Sequence, residues 1–165
     1  MGDLFSFPHP VNEKAARTVA AVVALTTLLI LVSGWRWLLV PLAYGFVARV
    51  LTGPTLSPLG ALAQKVIAPR LLGEPTYVSG PPKRFAQGMG AAMSTAAAIL
   101  AVGFHEYTGA DVLTAMILVA ATLESAFAYC LGCKVFGLLM RSGVIPEDVC
   151  AECADIWSRP ARTTA

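Results

Sequence analysis

The chain has 165 residues, a net charge of +2, 56% hydrophobic residues and only 13% charged ones. Soluble domains carry about 25% charged residues. A mean hydropathy of +0.68 therefore excludes an ordinary soluble domain and implies an integral membrane protein of one domain. The weak net charge, with no basic cluster interleaved with aromatics, also excludes a nucleic-acid partner.

The opening MGDLFSFPHPVNEK lacks a cationic segment followed directly by a short apolar one, so the first apolar run is expected to stay in the protein. MGDLFS matches the bare N-myristoylation pattern, an anchor that a chain with several spans does not need. Ala15 to Ser33 is the first expected span, because about 20 apolar residues cross a hydrocarbon core of about 30 Å. Arg17 can snorkel at its start and Gly34 suits its end. A second, shorter span is expected over 37–51, with Trp35 and Trp37 as interfacial anchors, Pro41 as a kink and Arg49 snorkelling. The uncharged part from Trp37 to Ala48 reaches only about 18 Å. A re-entrant or interfacial segment is the alternative, and the bundle then has three spans. The compact SGWRW turn between the two runs favours four.

GPTLSPLGALAQKVIAPRLLG follows. Ser57 is a candidate N-cap with Pro58 in the first turn, and Leu59, Leu62, Val66, Ile67 and Leu71 recur at roughly helical spacing. A short interfacial helix on the cytoplasmic surface is expected, with Lys65 and Arg70 toward headgroups; packing against the underside of the bundle is the alternative. Pro69 ends or kinks it. The next span covers 85–104. Its small residues Gly88, Ala92 and Ala96, and Gly90 and Ser94, suit close helix packing, within the chain or across a homodimer.

The last span is expected over 111–133, with Glu124 as its internal charge. An ionised carboxylate at that depth costs at least about 2.5–3.5 kcal/mol, so Glu124 must be neutral, paired or facing water. It is a candidate ion or proton site of a small transporter. A hydrogen bond to Ser94, Thr95, Ser125 or Tyr129 is the structural alternative. His105 and Glu106 in HEYTGAD, and His9 in FPHPV, read as turn residues rather than metal ligands. No GxSxG, HExxH, P-loop or dinucleotide fingerprint is present, which removes support for hydrolase, kinase or dehydrogenase chemistry and leaves enzymatic activity open.

All four cysteines, Cys130, Cys133, Cys150 and Cys153, fall within CLGCKVFGLLMRSGVIPEDVCAEC, as two CxxC pairs. With four spans every cation except Arg36 lies on one side; with three the N-terminus flips. The positive-inside rule places the tail in the cytoplasm in both cases. A static disulfide is not expected there. Dithiol redox or sulfur handling, a zinc site, and idle reduced thiols remain open. The last span is expected to continue as a helix through KVFGLLMR, stop at Gly143 and restart at Pro146 with Glu147 and Asp148. The resulting αα-hairpin folds CAEC back toward CLGC, with Cys130 and Cys150 about 9 Å apart in level. Zinc needs all four sulfurs at about 2.3 Å, hence a helix break near Gly132 or Ala151–Glu152; disulfide exchange needs only two sulfurs at a time. Lys134 near the Cys133 sulfur would favour its thiolate, and Glu152 would oppose it beside Cys153.

VNEKAARTVA, GPTLSP, GPPKRFAQGMG and the four-cysteine segment, in this order, resemble a family of small bacterial membrane proteins, frequent in actinobacteria and gathered as a domain of unknown function. The resemblance covers nearly the whole chain. It implies a multi-pass protein of the bacterial inner membrane, and a soluble thioredoxin-like or rhodanese-like partner. The expected organisation is all-α: a membrane helical bundle over 1–140, with an interfacial helix, and a cytoplasmic cysteine-containing tail over 141–165.

Overall fold

The computed structural model describes residues 11–53, 56–67 and 76–146, apart from the side chain of Gln64. The described residues are almost entirely helical. Helix α1 (Glu13–Ser33) begins where Asn12 accepts the backbone N–H groups of Lys14 and Ala15 at 3.0 and 3.4 Å, satisfying donors that an uncapped first turn leaves free. It ends at Gly34 in the left-handed conformation, as the sequence implied. A 3-10 turn (Arg36–Leu38) leads into α2 (Leu39–Thr52). Ser57 caps α3 (Pro58–Leu62), accepting the Gly60 N–H at 3.2 Å, and a π-helical turn (Ala63–Ile67) extends it. Helix α4 (Gly80–Ala98) continues through a second π turn to Gly103. Helices α5 (Tyr107–Phe127) and α6 (Leu131–Arg141) are the last helices among the described residues. A two-residue antiparallel pair, β1 (Val11–Asn12) with β2 (Tyr77–Val78), ties the start of α1 to the approach of α4 and was not anticipated.

Among the described residues three helices are long and apolar enough to cross a membrane: Glu13–Ser33, Gly80–Gly103 and Tyr107–Phe127. The expected span over 37–51 is the 14-residue α2, about 21 Å long, preceded by the 3-10 turn. In the bundle α1 packs chiefly on α5, and α2 on α4; the α4–α5 contact joins the two pairs. Val23, Ile30, Leu39, Phe46, Ala97, Ala101 and Ile117 lie at the centre. Outward faces are strongly apolar: Leu25, Leu29, Val32, Trp35, Trp37, Val112 and Val119 are all exposed.

The two rows of small residues in α4 separate. Ser94 is fully buried, and a Cβ on Gly90 would run into the ring of Phe46, so this row seats α2 within the chain. Nothing approaches Gly88, and Ala92 is exposed. At the SGWRW end, Arg36 meets Asp111 through two hydrogen bonds of 3.2 and 2.7 Å and lies 4.3 Å from the centre of the Tyr107 ring. Asp111 raises the Arg36 pKa above its ordinary value through that hydrogen bond. Glu106 caps α5 by accepting the Gly109 N–H at 3.0 Å, and His105 Nδ1 lies 3.4 Å from the Tyr107 hydroxyl. The pair at this turn thus has a structural role.

The expected last span requires correction. It does not run to Cys133 and on through KVFGLLMR: α5 stops at Phe127, Ala128 turns left-handed at φ 53°, and α6 is a separate helix. Two interactions make the break favourable. The Arg17 guanidinium donates to the Ser125 carbonyl at 3.2 and 3.0 Å and to the Ala126 carbonyl at 3.3 Å, covering acceptors that a helix end leaves open. Folding back also lets α6 bury Phe136 and Met140 against Phe85 and Ile145, with the two phenyl rings 5.6 Å apart. A straight continuation would carry those side chains away from α4. Arg84 makes a similar contact, its Nε donating to the Val50 carbonyl near the end of α2 at 3.1 Å. Arg17→Ala is therefore expected to cost about 1–2 kcal/mol in unfolding experiments, with faster hydrogen exchange confined to Ala126–Tyr129.

Candidate functional site

The chain direction places the start of α1, the end of α2, the start of α4 and the end of α5 at one end of the bundle, and α6 begins there. CLGC sits on this corner. Cys130 is the N-cap of α6, and its Sγ accepts the Cys133 N–H at 3.3 Å. The two cysteines are joined to each other, with their Cα atoms 5.2 Å apart. A static disulfide was not expected at this pair; the bond forms because a helical first turn brings positions i and i+3 onto one face. A helix N-terminus favours negative charge through its free N–H groups and dipole, so when the bond opens this position favours a thiolate. The Lys134 Nζ lies 5.6 Å from the centre of the Tyr129 ring. Cys150 and Cys153 lie outside the described residues, as do Glu147, Asp148, Glu152 and the second arm of the expected hairpin. Gly143, at φ 75°, ends α6 as anticipated. Among the described residues no group of three or more His, Cys, Asp or Glu gathers as a metal site.

The packing of CLGC depends on its glycine. A Cβ on Gly132 would stand 2.5 Å from the Ala86 Cβ and 2.6 Å from the Ala86 Cα. Only glycine lets the first turn of α6 come this close to α4.

Glu124 has a partner other than those expected. Neither Ser94, Thr95, Ser125 nor Tyr129 holds it; the Lys83 ammonium donates to its Oε1 at 2.5 Å, with side-chain exposures of 10% and 16%. A span starting at residue 85 would leave Lys83 in the loop before it. Helix α4 instead starts at Gly80, so Lys83 is in its first turn and points inward. Prolines in a first helical turn are favourable, and Pro81–Pro82 was the available signal for the earlier start.

A cavity of about 90 Å³ lies between this ion pair and CLGC. Arg49, Gln87, Glu124 and Cys130 supply its polar lining, and Val19, Val23, Phe46, Met93 and Ile117 much of the rest. Arg49 is buried at 6% exposure. Its Nε donates to Gln87 Oε1 at 3.0 Å and its guanidinium lies 4.7 Å from the centre of the Phe46 ring. Its Nη2 has no hydrogen-bond partner among the described residues. Arg49 and Gln87 were not anticipated as site residues, because a cation near a helix end reads as snorkelling when its neighbours in space are unknown. The arrangement sets the Cys130–Cys133 disulfide at a helix N-terminus beside a mostly apolar cavity that Glu124 and the buried Arg49 also line.

No curated protein and no solved structure matches the chain. A family model, described as a domain of unknown function (DUF4395), matches residues 11–141.

Proposed function

We propose that this chain, which belongs to the DUF4395 family, is a multi-pass protein of the bacterial inner membrane that carries out thiol–disulfide or sulfur exchange at its cytoplasmic edge through CLGC. The observation that carries the reading is the Cys130–Cys133 pair at the α6 N-terminus, with Cys130 half-buried and lining a cavity rather than sealed in a core. Structural disulfides have no need of such a cavity. Redox-active CxxC pairs need an accessible first sulfur and a helix N-terminus that favours its thiolate.

The apolar outward faces support the membrane placement, since monomeric soluble proteins rarely expose apolar patches larger than a few hundred Å². A four-helix crossing accommodates α2: its 14 residues with the 3-10 turn span about 27 Å, close to a bilayer core. In that topology every cation except Arg36 is cytoplasmic, and so are CLGC and the tail. CAEC is then the second pair, handing electrons or sulfur between Cys130 and a soluble thioredoxin-like or rhodanese-like partner. The transporter reading of Glu124 is less favoured, because Lys83 already satisfies its charge.

The test is alkylation and mass spectrometry of the full chain across controlled redox potentials, with metal analysis of the reduced protein. Cys130 and Cys133 are expected to titrate as one two-electron couple within the cytosolic range. After reduction, alkylation at pH 7 should be at least about tenfold faster at Cys130 than at Cys133. Thiols that stay free at every potential would reject the reading, and about one zinc per chain, lost on Cys→Ser change, would replace it with a zinc-pinned scaffold.

A further inference from the structure

We infer that the cavity beside CLGC is a binding site for a small inorganic sulfur anion, of the size and charge of sulfite, held by Arg49 and presented to Cys130. The inference rests on the redox reading of CLGC and names its substrate class.

Charge is the first observation. Lys83 and Glu124 compensate each other at 2.5 Å. Arg49, on the same cavity, makes no hydrogen bond to a carboxylate, Glu124 acting on it only through space, and its Nη2 is unpartnered among the described residues. A buried guanidinium fork with one arm engaged is a binding group for an oxyanion, because charge-assisted hydrogen bonds to a planar fork are both strong and directional. Gln87, which also lines the cavity, adds to it: its Oε1 accepts from Arg49, which leaves its amide N–H groups as donors.

Size is the second. By the same measure one water needs about 10–15 Å³, so about 90 Å³ takes several waters or an anion of four or five heavy atoms. Chemistry is the third: of the two bridged cysteines, Cys130 lines the cavity. An anion that reacts with a disulfide is a sulfur nucleophile. The sulfite lone pair forms a new S–S bond to Cys130 Sγ. The Cys130–Cys133 bond breaks, and its electron pair leaves with Cys133 as thiolate. Cys130 becomes an S-sulfonate; the disulfide is reduced and the sulfite sulfur oxidised by the same two electrons, so no further oxidant is needed.

The experiment compares sulfite with dithiothreitol, a neutral reductant, on the oxidised full chain in detergent, following S-sulfonate and free thiol by intact mass. Arg49→Gln is expected to slow the sulfite reaction at least about tenfold and the dithiothreitol reaction less than about twofold. Equal slowing of both, or of neither, overturns the inference. In the unsubstituted chain, sulfate should slow sulfite by competition, a readout that does not depend on the variant folding; no competition overturns it. A short-chain phosphatidic acid that competes where sulfate does not would put a lipid phosphate on Arg49 and overturn it as well. In the Cys130→Ser, Cys133→Ser chain, which has no redox couple at this pair, sulfate should raise Tm only while Arg49 is present. That result supports the anion site even if the redox titration fails, and no rise in either chain refutes it.

Discussion

Glu124→Gln in a chain that keeps Lys83 is expected to cost about 3–5 kcal/mol of stability. Lys83 and Glu124 are both largely removed from water, and Lys83 would keep its charge with no counter-ion. Lys83→Met alone should be comparably damaging, since it strands the carboxylate. Replacing both, as Lys83→Met with Glu124→Leu, should recover most of the loss. Desolvation of two charges roughly cancels their attraction, so an apolar pair of similar volume is often neutral or better. Chemical unfolding in detergent of the four chains, as a double-mutant cycle, measures the coupling directly. If Glu124→Gln proves as stable as the unsubstituted chain, the pair is open to water and the carboxylate returns as a candidate ion site. The pair also has a positional effect. It ties the start of α4 to the end of α5, and CLGC packs on α4 one turn further along, so loosening the pair should move α6 as well.

Much of this geometry was legible in the chain, and the misses have a common cause. Gly34, Ser57–Pro58 and Gly143 announced their helix ends because capping is local: the residue that terminates a helix satisfies backbone groups within a few positions of itself. The inward face of α4 was also present in the sequence. Lys83, Gln87, Gly90, Ser94, Ala97 and Ala101 recur at three- and four-residue steps, and the structure buries Lys83, Ser94, Ala97 and Ala101. Two of its polar members are Lys83 and Gln87, so the row was an apolar-face pattern with its charged end mistaken for a flank. What the chain could not show is the identity of partners distant in sequence. Arg17 caps a helix more than a hundred residues away, and that cap allows α5 to end at Phe127 with a non-glycine residue in the left-handed conformation. Hydropathy runs smoothly through ESAFAYCLGC, and nothing in it announces a break. The separation of CLGC from the last long helix, on which the candidate site depends, is therefore a tertiary fact.

Gly132→Ala is the second large effect expected, and it separates the packing role of CLGC from its chemistry. The added methyl meets a backbone atom, the Ala86 Cα at 2.6 Å, which cannot rotate aside. Helix α6 must therefore lift away from α4. Overpacking of this kind costs about 1–3 kcal/mol, and here the lift also loosens Phe136 and Met140 from Phe85. Leu131→Ala, the adjacent change in the same motif, should be nearly silent, because Leu131 is 39% exposed. A thiol motif governed by sequence alone would treat the two changes alike; a motif docked through its glycine will not. Ala86→Gly should rescue Gly132→Ala only in part, since it removes the Cβ contact and leaves the Cα one. Unfolding midpoints rank the four chains, and alkylation of Cys130 in the reduced protein reports the cavity. With α6 lifted, Cys130 should react faster with a bulky uncharged reagent. It should also lose any preference for anionic reagents, because the sulfur has moved from the cavity that holds Arg49. A Gly132→Ala chain that keeps its stability and that preference would mean that α6 does not dock on α4 through this contact, and the cavity assigned to the thiols would lose its wall.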